Sequence, residues 1–365
     1  IITNSKSKKR ITLYGHKLEG NLHYFFKNQN YFEHEIIYIS FSLKEYKSLS
    51  LYSSNIFYAL NLIHVFKTLQ ASVMIASHGI FYHKLIKQIT NIKTFNIGHG
   101  ISNVLNKVNP KIPDQIFDSH WVMSQFEKEV IENDNNIVFK NLEVTGFLRI
   151  NNLIENKDQG THLKEKTGLS NKICLYAPSG VQKYDKENPN NFQYRNIEFL
   201  KLLNTLSNSN DITTIFKPHH QNYEFKEIEN EVMSFINKSS NIIYFKDLDL
   251  EDLNELMLVS DFLITDYSSL FVDYLILDRP IIFLEVKKVM DQYAYSDYFN
   301  NEFIHFINTF EELKSNFLSL IDNETNLAKL KSLKNLIFKD NSQNNVLNLY
   351  KLSISNSLNI NKKDV

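Results

Sequence analysis

The sequence predicts an α/β protein made of two doubly wound domains, each a parallel sheet with helices on both faces. Three observations lead to this prediction. Short apolar runs alternate with longer amphipathic stretches along most of the chain, as they do in βαβ units. Most of the apolar runs are continuous rather than alternating, which is expected of strands covered on both faces. The 365 residues also suffice for two domains of ordinary size.

In the first half of the chain, six apolar runs are predicted to be strands. They are Ile11–Tyr14, Glu35–Ser40, Val73–Ala76, Lys93–Ile97, His120–Met123 and Leu142–Thr145. The stretches between them, among them Ile56–Leu69 and Gln125–Asn133, carry apolar residues at helical spacing and are predicted to be helices.

The second half repeats this pattern. Its predicted strands are Lys172–Ala177, Ile212–Phe216, Ile242–Phe245, Phe262–Thr265 and Ile281–Leu284. Its predicted helices are Asn196–Leu206, Phe225–Ile236, Leu253–Val259 and Ser269–Leu277, and amphipathic stretches follow at Leu330–Phe338 and Asn345–Leu358. The polar stretch Asn151–Asn171, which has no sustained apolar period, is interpreted as the link between the two domains.

Composition excludes several classes of protein. The 40 basic and 41 acidic residues nearly cancel, so an overall field that coats nucleic acid is not expected, and no nucleic-acid partner is predicted. With 9 Gly, 6 Pro and the single Cys174, the chain is neither collagen-like nor stapled by disulfides. No run of about 18 apolar residues is present, and no signal peptide is seen.

The sharpest motif lies where the strand Phe262–Thr265 ends. Thr265 and Asp266 are followed by Ser268 and Ser269 and then by a helix that carries Asp273. Serine at a helix start can cap free backbone N–H groups, and the same N–H groups can hold a phosphate. An ordinary capped helix is the alternative interpretation.

A second motif follows the strand Ile212–Phe216. Lys217, Pro218, His219 and His220 place a cation, a rigid turn and two imidazoles at a strand end. Lysine supplies a point charge suited to phosphate, and histidine can donate to a phosphate oxygen. A surface loop with incidental histidines is the alternative.

A third motif is His99, which lies between Gly98 and Gly100 directly after a strand. Glycine flanks allow a tight turn and close approach of a substrate, so His99 is a candidate general base. A glycine turn with a hydrogen-bonded histidine explains the pattern equally well. The related Ser77-His78-Gly79 shows how easily so short a pattern recurs.

Weaker signals also follow predicted strands. Pro178 and Ser179 end the first strand of the second half, and Arg149 follows the last strand of the first half, where it can meet an anion. Plain turns are the alternative. The basic run Lys6–Arg10 suits either a solvated terminus or contact with anionic lipid. No acidic cluster builds a metal site, and no metal is predicted.

Taken in order, these motifs resemble the CDP-glycerol glycerophosphotransferase family, whose members build and prime teichoic acids or make teichoic-type capsules. The matching segments are His99-Gly100, Gly146 with Arg149, Tyr176-Ala177-Pro178, Lys217-Pro218-His219, and Ile264–Ser269 with Asp273-Tyr274. The chain departs from the usual family pattern at Gly98, Ile101, Ser179-Gly180-Val181 and His220. The donor half therefore matches the family better than the acceptor side.

The resemblance implies a GT-B-like α/β fold, with two Rossmann-type domains facing across a cleft. It implies an acceptor-side domain over residues 1–160 and a nucleotide-donor domain over residues 161–340. A C-terminal helix and tail over residues 341–365 is expected to cross back to the N-terminal domain. In that arrangement the possible cleft lining comprises Gly100, Arg149, Pro178, Ser179 and His220.

The implied activity is transfer of an alditol phosphate, most simply glycerol phosphate, from a CDP-activated donor to a hydroxyl of a cell-surface polymer, with release of CMP. His99 and His219 are the expected catalytic residues. The residues expected to bind the donor are Lys217, Thr265, Asp266, Ser268, Ser269 and Asp273. No cofactor is expected beyond the donor substrate, CDP-glycerol or a similar CDP-alditol.

The acceptor implied by the family is a lipid-linked or oligosaccharide polymer of the bacterial cell envelope. A cytoplasmic location follows, with a peripheral position at the inner face of the cytoplasmic membrane left open. Two alternatives remain at this point: a GT-B glycosyltransferase that uses a nucleotide sugar for capsule or lipopolysaccharide synthesis, and an inactive scaffold that retains the fold.

Overall fold

The computed structural model describes residues 10–98, 100–101, 117–133, 141–179, 192, 197–218, 226–266, 268–285, 303–340 and 342–360. Within these residues the chain forms two compact units. Unit 1 contains the chain up to Asn152 and again from Ile337 onward, and unit 2 contains Leu153–Leu336. The predicted domain boundary after residue 160 therefore falls within unit 2.

Unit 1 is built on a parallel sheet of seven strands. They are β1 (Arg10–Tyr14), β2 (Glu35–Ser40), β3 (Ile56–Tyr58), β4 (Val73–Ala76), β5 (Lys93–Asn96), β6 (Ser119–Val122) and β7 (Leu142–Val144). Their order in the sheet is β3-β2-β1-β4-β5-β6-β7. The inner strand β1 pairs Leu13 with Tyr38 of β2 on one side and with Ile75 of β4 on the other.

The helices of unit 1 lie between these strands, and one comes from the end of the chain. They are α1 (Gly20–Lys27), α2 (Leu43–Leu49), α3 (Leu62–Leu69), α4 (His83–Ile89), α5 (Gln125–Asn133) and α6 (Leu148–Glu155), of which the last extends past Asn152. The C-terminal helix, numbered below as α14, covers Val346–Ile360. Its buried face packs into the core around Phe25, Phe95 and Trp121.

Unit 2 repeats the same design with six parallel strands. They are β8 (Lys172–Tyr176), β9 (Ile212–Phe216), β10 (Ile242–Tyr244), β11 (Phe262–Thr265), β12 (Ile281–Leu284) and β13 (Phe306–Ile307). Their order is β10-β9-β8-β11-β12-β13. The helices that follow are α7 (Gly160–Thr167), α8 (Ile197–Ser209), α9 (Lys226–Ile236), α10 (Leu253–Val259), α11 (Leu270–Tyr274), α12 (Phe310–Ile321) and α13 (Glu324–Ile337). The last helix, α14, belongs to unit 1.

Both sheets reverse their strand order at one place, between β1 and β4 in unit 1 and between β8 and β11 in unit 2. The chain leaves opposite faces of the sheet on the two sides of this switch point. The loops after the two neighbouring strands consequently diverge and leave a crevice at the carboxyl edge, which is where doubly wound sheets bind their ligands.

The predicted helix Ile56–Leu69 is wrong in its first part. Ile56–Tyr58 is the edge strand β3, which pairs with Tyr38–Ser40, and the helix starts only at Leu62. Asn61 separates the two elements, because its side-chain oxygen accepts hydrogen bonds from the N–H groups of Ile63 and His64. This N-cap ends the extended segment and begins the helix.

The stretch interpreted as a link, Asn151–Asn171, carries the end of α6 and all of α7. Its helices escape simple pattern reading because few of their residues are apolar. In α7, Gly160 and Leu163 are the buried residues, and the helix ends at Gly168, whose φ of 70° is the left-handed conformation common at helix ends. Among the helices that the structure describes, none is long and apolar enough to cross a membrane.

Candidate functional site

The carboxyl edge of the unit 2 sheet brings together three of the segments that the sequence analysis singled out. β8 and β11 are neighbours at the switch point, so the residues after Tyr176 and those after Thr265 meet there. β9 lies on the other side of β8, and the N–H of Lys217 donates to the carbonyl of Tyr176 over 2.9 Å. Segments separated by about 90 residues thus form one edge.

Asp266 is the centre of this arrangement. It is buried, and its Oδ1 and Oδ2 each lie 3.0 Å from the N–H of Ser179. The hydroxyl of Ser179 donates to Oδ2 over 2.7 Å, and the N–H of Ser268 donates to Oδ1 over 3.1 Å. The carboxylate therefore ties the loop after β8 to the loop after β11.

Burial raises the pKa of Asp266 to about 6, and the hydrogen bonds from Ser179 and Ser268 oppose that shift. A buried carboxylate is tolerated when donors surround it. Each of the donors named above favours the ionised form, so Asp266 acts at neutral pH as a fixed acceptor rather than as an acid.

Thr265 precedes Asp266 at the end of β11, and Lys217 follows β9, which lies on the other side of β8. The buried hydroxyl of Thr265 donates to the carbonyl of Ala177 over 2.7 Å, which fastens β11 to the end of β8. The half-buried Lys217 carries its ammonium 5.8 Å from the ring centroid of Phe245, which follows β10. The charge of Lys217 thus lies at the same carboxyl edge, near the end of β10.

Ser268 and Ser269 precede α11 as predicted, although neither makes a strong cap. The Oγ of Ser268 lies 3.5 Å from the N–H of Leu270, and Ser269 makes no side-chain cap hydrogen bond. Asp273 is buried within α11. Pro178, which was predicted to line the cleft, lies in the buried turn before Ser179.

Several predicted residues lie outside the described part of the chain. These are the catalytic candidates His99 and His219, the lining candidate His220, and most of the basic run Lys6–Arg10. Arg10 is described: it begins β1, and its guanidinium binds the carboxylate of Glu35 at 2.6 Å.

In unit 1 the structure places the predicted Gly100 and Arg149 in buried positions. The guanidinium of Arg149 lies 4.8 Å from the ring centroid of Phe147, and the backbone N–H of Arg149 donates to Oδ1 of Asn21 over 3.3 Å. Gly98, before the predicted base, has a φ of 69°, and an added Cβ would stand 3.2 Å from the Phe147 ring. Glycine is therefore needed at that turn.

Sequence reasoning missed Glu127, a fully buried acid in α5. Its Oε2 accepts from the N–H of Met123 over 2.6 Å, and the hydroxyl of Ser124 accepts from the N–H of Glu127 over 3.3 Å. Burial raises the pKa of Glu127 to about 7, although the Met123 hydrogen bond and the charge of Arg149 oppose the shift. The spacing Ser124-x-x-Glu127 is that of a capping box and was the signal available in the sequence.

Within the described residues, no group of three or more His, Cys, Asp or Glu side chains is placed to hold a metal ion. The single Cys174 is buried in β8. Burial raises the pKa of its thiol well above the usual range, so this thiol stays protonated at neutral pH.

Comparison with known proteins gives a match over nearly the whole chain. The model of a family described as "CDP-Glycerol:Poly(glycerophosphate) glycerophosphotransferase" matches residues 3–352. A curated relative, the teichoic acid poly(glycerol phosphate) polymerase of Bacillus spizizenii, is 30% identical over 171 residues, which are 44% of this chain. The match spans 36% of the length of that relative.

Solved structures share the fold. The wall teichoic acid polymerase TagF superimposes with a TM-score of 0.71 at 16% identity, over 97% of this chain and 90% of that one. A TagF variant soaked with CDPG gives 0.69 at 15% identity, over 97% and 89%. The S. aureus MnaA–UDP complex gives 0.61 at 16% identity, over 96% and 97%. These likenesses confirm the predicted GT-B-like α/β fold.

Proposed function

Because the chain belongs to the CDP-Glycerol:Poly(glycerophosphate) glycerophosphotransferase family, we propose that it transfers glycerol phosphate from CDP-glycerol to a hydroxyl of a teichoic-acid-type polymer. The acceptor oxygen attacks the β-phosphorus, a new P–O bond forms, and the bond to the bridging oxygen breaks. CMP leaves with that oxygen, and the acceptor proton passes to a base. The family that the comparison identifies is the one that the sequence motifs resemble.

The observation that carries this proposal is the junction of Ser179, Asp266 and Ser268 at the switch point of unit 2. Phosphoryl transfer depends on positioning and on neutralising charge, and needs little covalent help from the protein. Asp266 fixes the two loops that border the crevice. Lys217, which follows β9 at the same edge of the sheet, is assigned to neutralise the charge of the diphosphate.

The remaining roles follow the family pattern. His99 is assigned as the base for the acceptor hydroxyl, and His219 joins Lys217 in neutralising the diphosphate. Ser268 and Ser269, with backbone N–H groups at the start of α11, are assigned to bind the oxygens of the diphosphate. Asp273 is assigned an orienting role because it is buried within the same helix. A variant of TagF, which shares the fold, was soaked with CDPG, and this supports a donor of the same class for this chain.

The test is a donor screen. The chain is incubated with a glycerol phosphate oligomer and with CDP-glycerol, CDP-ribitol or nucleotide sugars. Release of CMP with a new phosphodiester supports the proposal, whereas glycosyl transfer from a nucleotide sugar would replace it with the glycosyltransferase alternative. Failure of calorimetry to detect binding of any cytidine nucleotide would instead favour the inactive scaffold.

We further propose that unit 1 meets an anionic membrane surface, as a lipid-linked acceptor requires. The carboxyl edge of β2, β3 and β4 exposes a set of large apolar side chains, called here the apolar edge. Its members are Phe41, Leu43, Leu60, Leu62, Ile63, Phe81 and Tyr82. Leu60, Leu62 and Tyr82 are 78%, 85% and 79% exposed, which is unusual for large apolar residues that cluster in one region.

Charge supports this assignment. Residues 41–89 contain five lysines and one acidic residue, Glu45. Glu45 is turned inward, where it accepts from the N–H of Leu18 and the hydroxyls of Ser40 and Tyr38. A basic and apolar surface of this kind suits anionic headgroups.

Co-sedimentation with phosphatidylglycerol vesicles tests this proposal. It should fall in the double variant Leu62→Ser/Ile63→Ser and persist in the control Leu318→Ser, which changes an exposed leucine of unit 2. Equal sedimentation of all three proteins would refute membrane contact through the apolar edge.

A further inference from the structure

The switch point of unit 1, between β1 and β4, holds a pair of histidines that the chemistry above does not use. Gly15, His16 and Lys17 follow β1, and Ser77 and His78 follow β4. Because the two strands are neighbours, these two loops meet at the carboxyl edge of the sheet. This is the place at which a doubly wound sheet binds a ligand.

The two imidazoles are in contact. The ring centroids of His16 and His78 lie 4.9 Å apart, with an angle of 55° between the ring planes. The Nδ1 of His78 lies 2.9 Å from the Oγ of Ser77, which orients that ring. His16 and Lys17 are exposed and His78 is half-buried, so the pair borders solvent.

Gly15 allows the two loops to approach each other. A Cβ at this position would stand 2.6 Å from Cδ1 of Leu22 and 3.0 Å from Oγ of Ser77. A side chain at this position would have to displace the end of the Leu22 side chain of α1 or the Ser77 hydroxyl. Gly15 thus allows the loop that carries His16 to pass close to the loop that carries His78.

Two adjoining imidazoles and a lysine suit an anion. Each imidazolium offers N–H donors, and a negative group between them removes the repulsion that two neighbouring imidazolium rings would otherwise feel. Lys17 adds a positive charge from the same loop. A phosphodiester group carries a negative charge and two unesterified oxygens, which can accept hydrogen bonds from both rings.

The histidine pair also borders the apolar edge. The phenol of Tyr14, the last residue of β1, accepts from the N–H of Phe81 over 2.9 Å, and its ring centroid lies 5.0 Å from that of Phe41. A ligand with phosphodiesters at one end and a lipid at the other would meet both features. This is the chemistry of a lipid-linked glycerol phosphate polymer.

We propose that His16 and His78, together with Lys17, bind a phosphodiester of the acceptor polymer and hold its growing end at the edge of unit 1. The proposal rests on the proposed function for the identity of the polymer. It assigns the pair to acceptor binding, whereas the donor residues lie at the carboxyl edge of the unit 2 sheet.

Calorimetry with a short synthetic glycerol phosphate oligomer tests the proposal. We expect His16→Gln and His78→Gln each to weaken oligomer binding about 10-fold, since each removes a charge-assisted hydrogen bond. CDP-glycerol binding should stay as in the wild type. His162→Gln, which changes an exposed histidine of α7, is the matched control and should bind the oligomer normally. Unchanged oligomer affinity in both variants would overturn the proposal.

A second arm distinguishes the polymer from a lipid headgroup, which carries the same phosphodiester chemistry. If the variants bind the oligomer normally and lose only co-sedimentation with phosphatidylglycerol vesicles, the acceptor assignment is wrong. Tight binding of Zn²⁺ by the wild type that the two variants lose, with oligomer affinity unchanged, would also overturn it.

The oligomer measurement needs no turnover, so its result is separate from that of the donor screen. If no donor yields CMP and the oligomer still binds through His16 and His78, the proposed function fails and the phosphodiester site stands. If the wild type is active, a raised KM for the oligomer in the variants supports the site, and an unchanged KM contradicts it.

Discussion

At the scale of single residues, the contacts of Asp266 explain why the segment that follows β11 contains an acid. A buried carboxylate is expensive unless donors surround it, and here two loops contribute N–H and O–H donors from Ser179 and Ser268. The resemblance placed Asp266 among the donor-binding residues. The geometry shows that its carboxylate holds the loops after β8 and β11 together, which suits the proposed role in positioning the donor.

The first prediction concerns Asp266→Asn. An amide keeps one acceptor oxygen and turns its NH₂ toward a donor, so either Ser179 or Ser268 loses its partner. We expect kcat/KM for the donor to fall about 10- to 100-fold, as for loss of a hydrogen bond to a charged group.

The control is Asp211→Asn, an exposed aspartate with a φ of 54°, a conformation that asparagine also adopts. Its kinetics should match the wild type. A raised KM for the oligomer acceptor in Asp266→Asn, with donor kinetics intact, would contradict the assignment of Asp266 to the donor side.

The second prediction concerns Glu127 and pH. Its pKa of about 7 in the folded state lies above the ordinary value of 4.5, so the folded protein binds this proton more tightly than the unfolded chain. The free energy of unfolding should therefore fall as pH rises from about 4.5 to 7, by about 1–3 kcal/mol from this group. Glu127→Gln, which keeps an acceptor for the N–H of Met123, should lose this part of the pH dependence.

The measurement is the difference in melting temperature between variant and wild type across pH 4 to 8, because other acids titrate in the same window. Glu132→Gln, an exposed residue of the same helix, is the control and should leave the wild-type profile intact. A Glu127→Gln profile parallel to that of the wild type would show that burial does not perturb this group.

At the scale of elements, packing between helices explains a residue that the sequence treated as part of a polar link. α7 lies against α10, and a Cβ on Gly160 would stand 2.6 Å from the carbonyl oxygen of Leu258. The guanidinium of Arg279 donates to the carbonyls of Met257 and Leu258 and also binds that of Ser260. The end of α10 is thus fixed and has little freedom to move away.

The third prediction follows. Gly160→Ala should destabilise unit 2 by about 1–3 kcal/mol through overpacking, although alanine is the better helix former. Thermal unfolding checks it, with Thr161→Ala on the exposed side of the same helix as the control. Equal or higher stability of Gly160→Ala would mean that α7 and α10 separate more easily than the contact suggests.

At the scale of the whole molecule, the chain returns to its first unit after completing the second. α14 belongs to the core of unit 1, where Tyr350 stacks on Trp121 with ring centroids 4.2 Å apart. The phenol of Tyr350 donates to the carbonyl of Gly146 over 3.1 Å, and the indole of Trp121 donates to the hydroxyl of Ser353 over 2.9 Å. Unit 1 is therefore complete only with residues from the end of the chain.

The fourth prediction concerns Tyr350→Ala, which should cost about 3–5 kcal/mol because it leaves a cavity in a packed core. Hydrogen exchange should rise in peptides from the β1–β7 sheet. Leu352→Ala, on the exposed side of the same helix, should not have this effect. Unchanged exchange in the sheet after Tyr350→Ala would show that α14 adds little to unit 1.

Most strands and several helices were predictable because their signal is local. The continuous apolar run Phe262–Thr265 is a strand with the predicted bounds, and Leu253–Val259 is a helix with the predicted bounds. The helix predicted to start at Ile56 failed, because an edge strand of three residues has too short a pattern to be told from a helix turn. The histidine pair was also missed, since His16 and His78 are 62 positions apart and neither motif is distinctive alone.

The periodic pattern of strands and helices, the motifs that end the strands and the family resemblance could all be read from the sequence. These features depend on spacing along the chain, which the sequence displays directly. The folded structure was needed to show that β8 and β11 are neighbours and that Asp266 accepts from Ser179. Strand order and hydrogen-bond partners follow from packing among distant segments, and no local pattern specifies which distant segment supplies the partner.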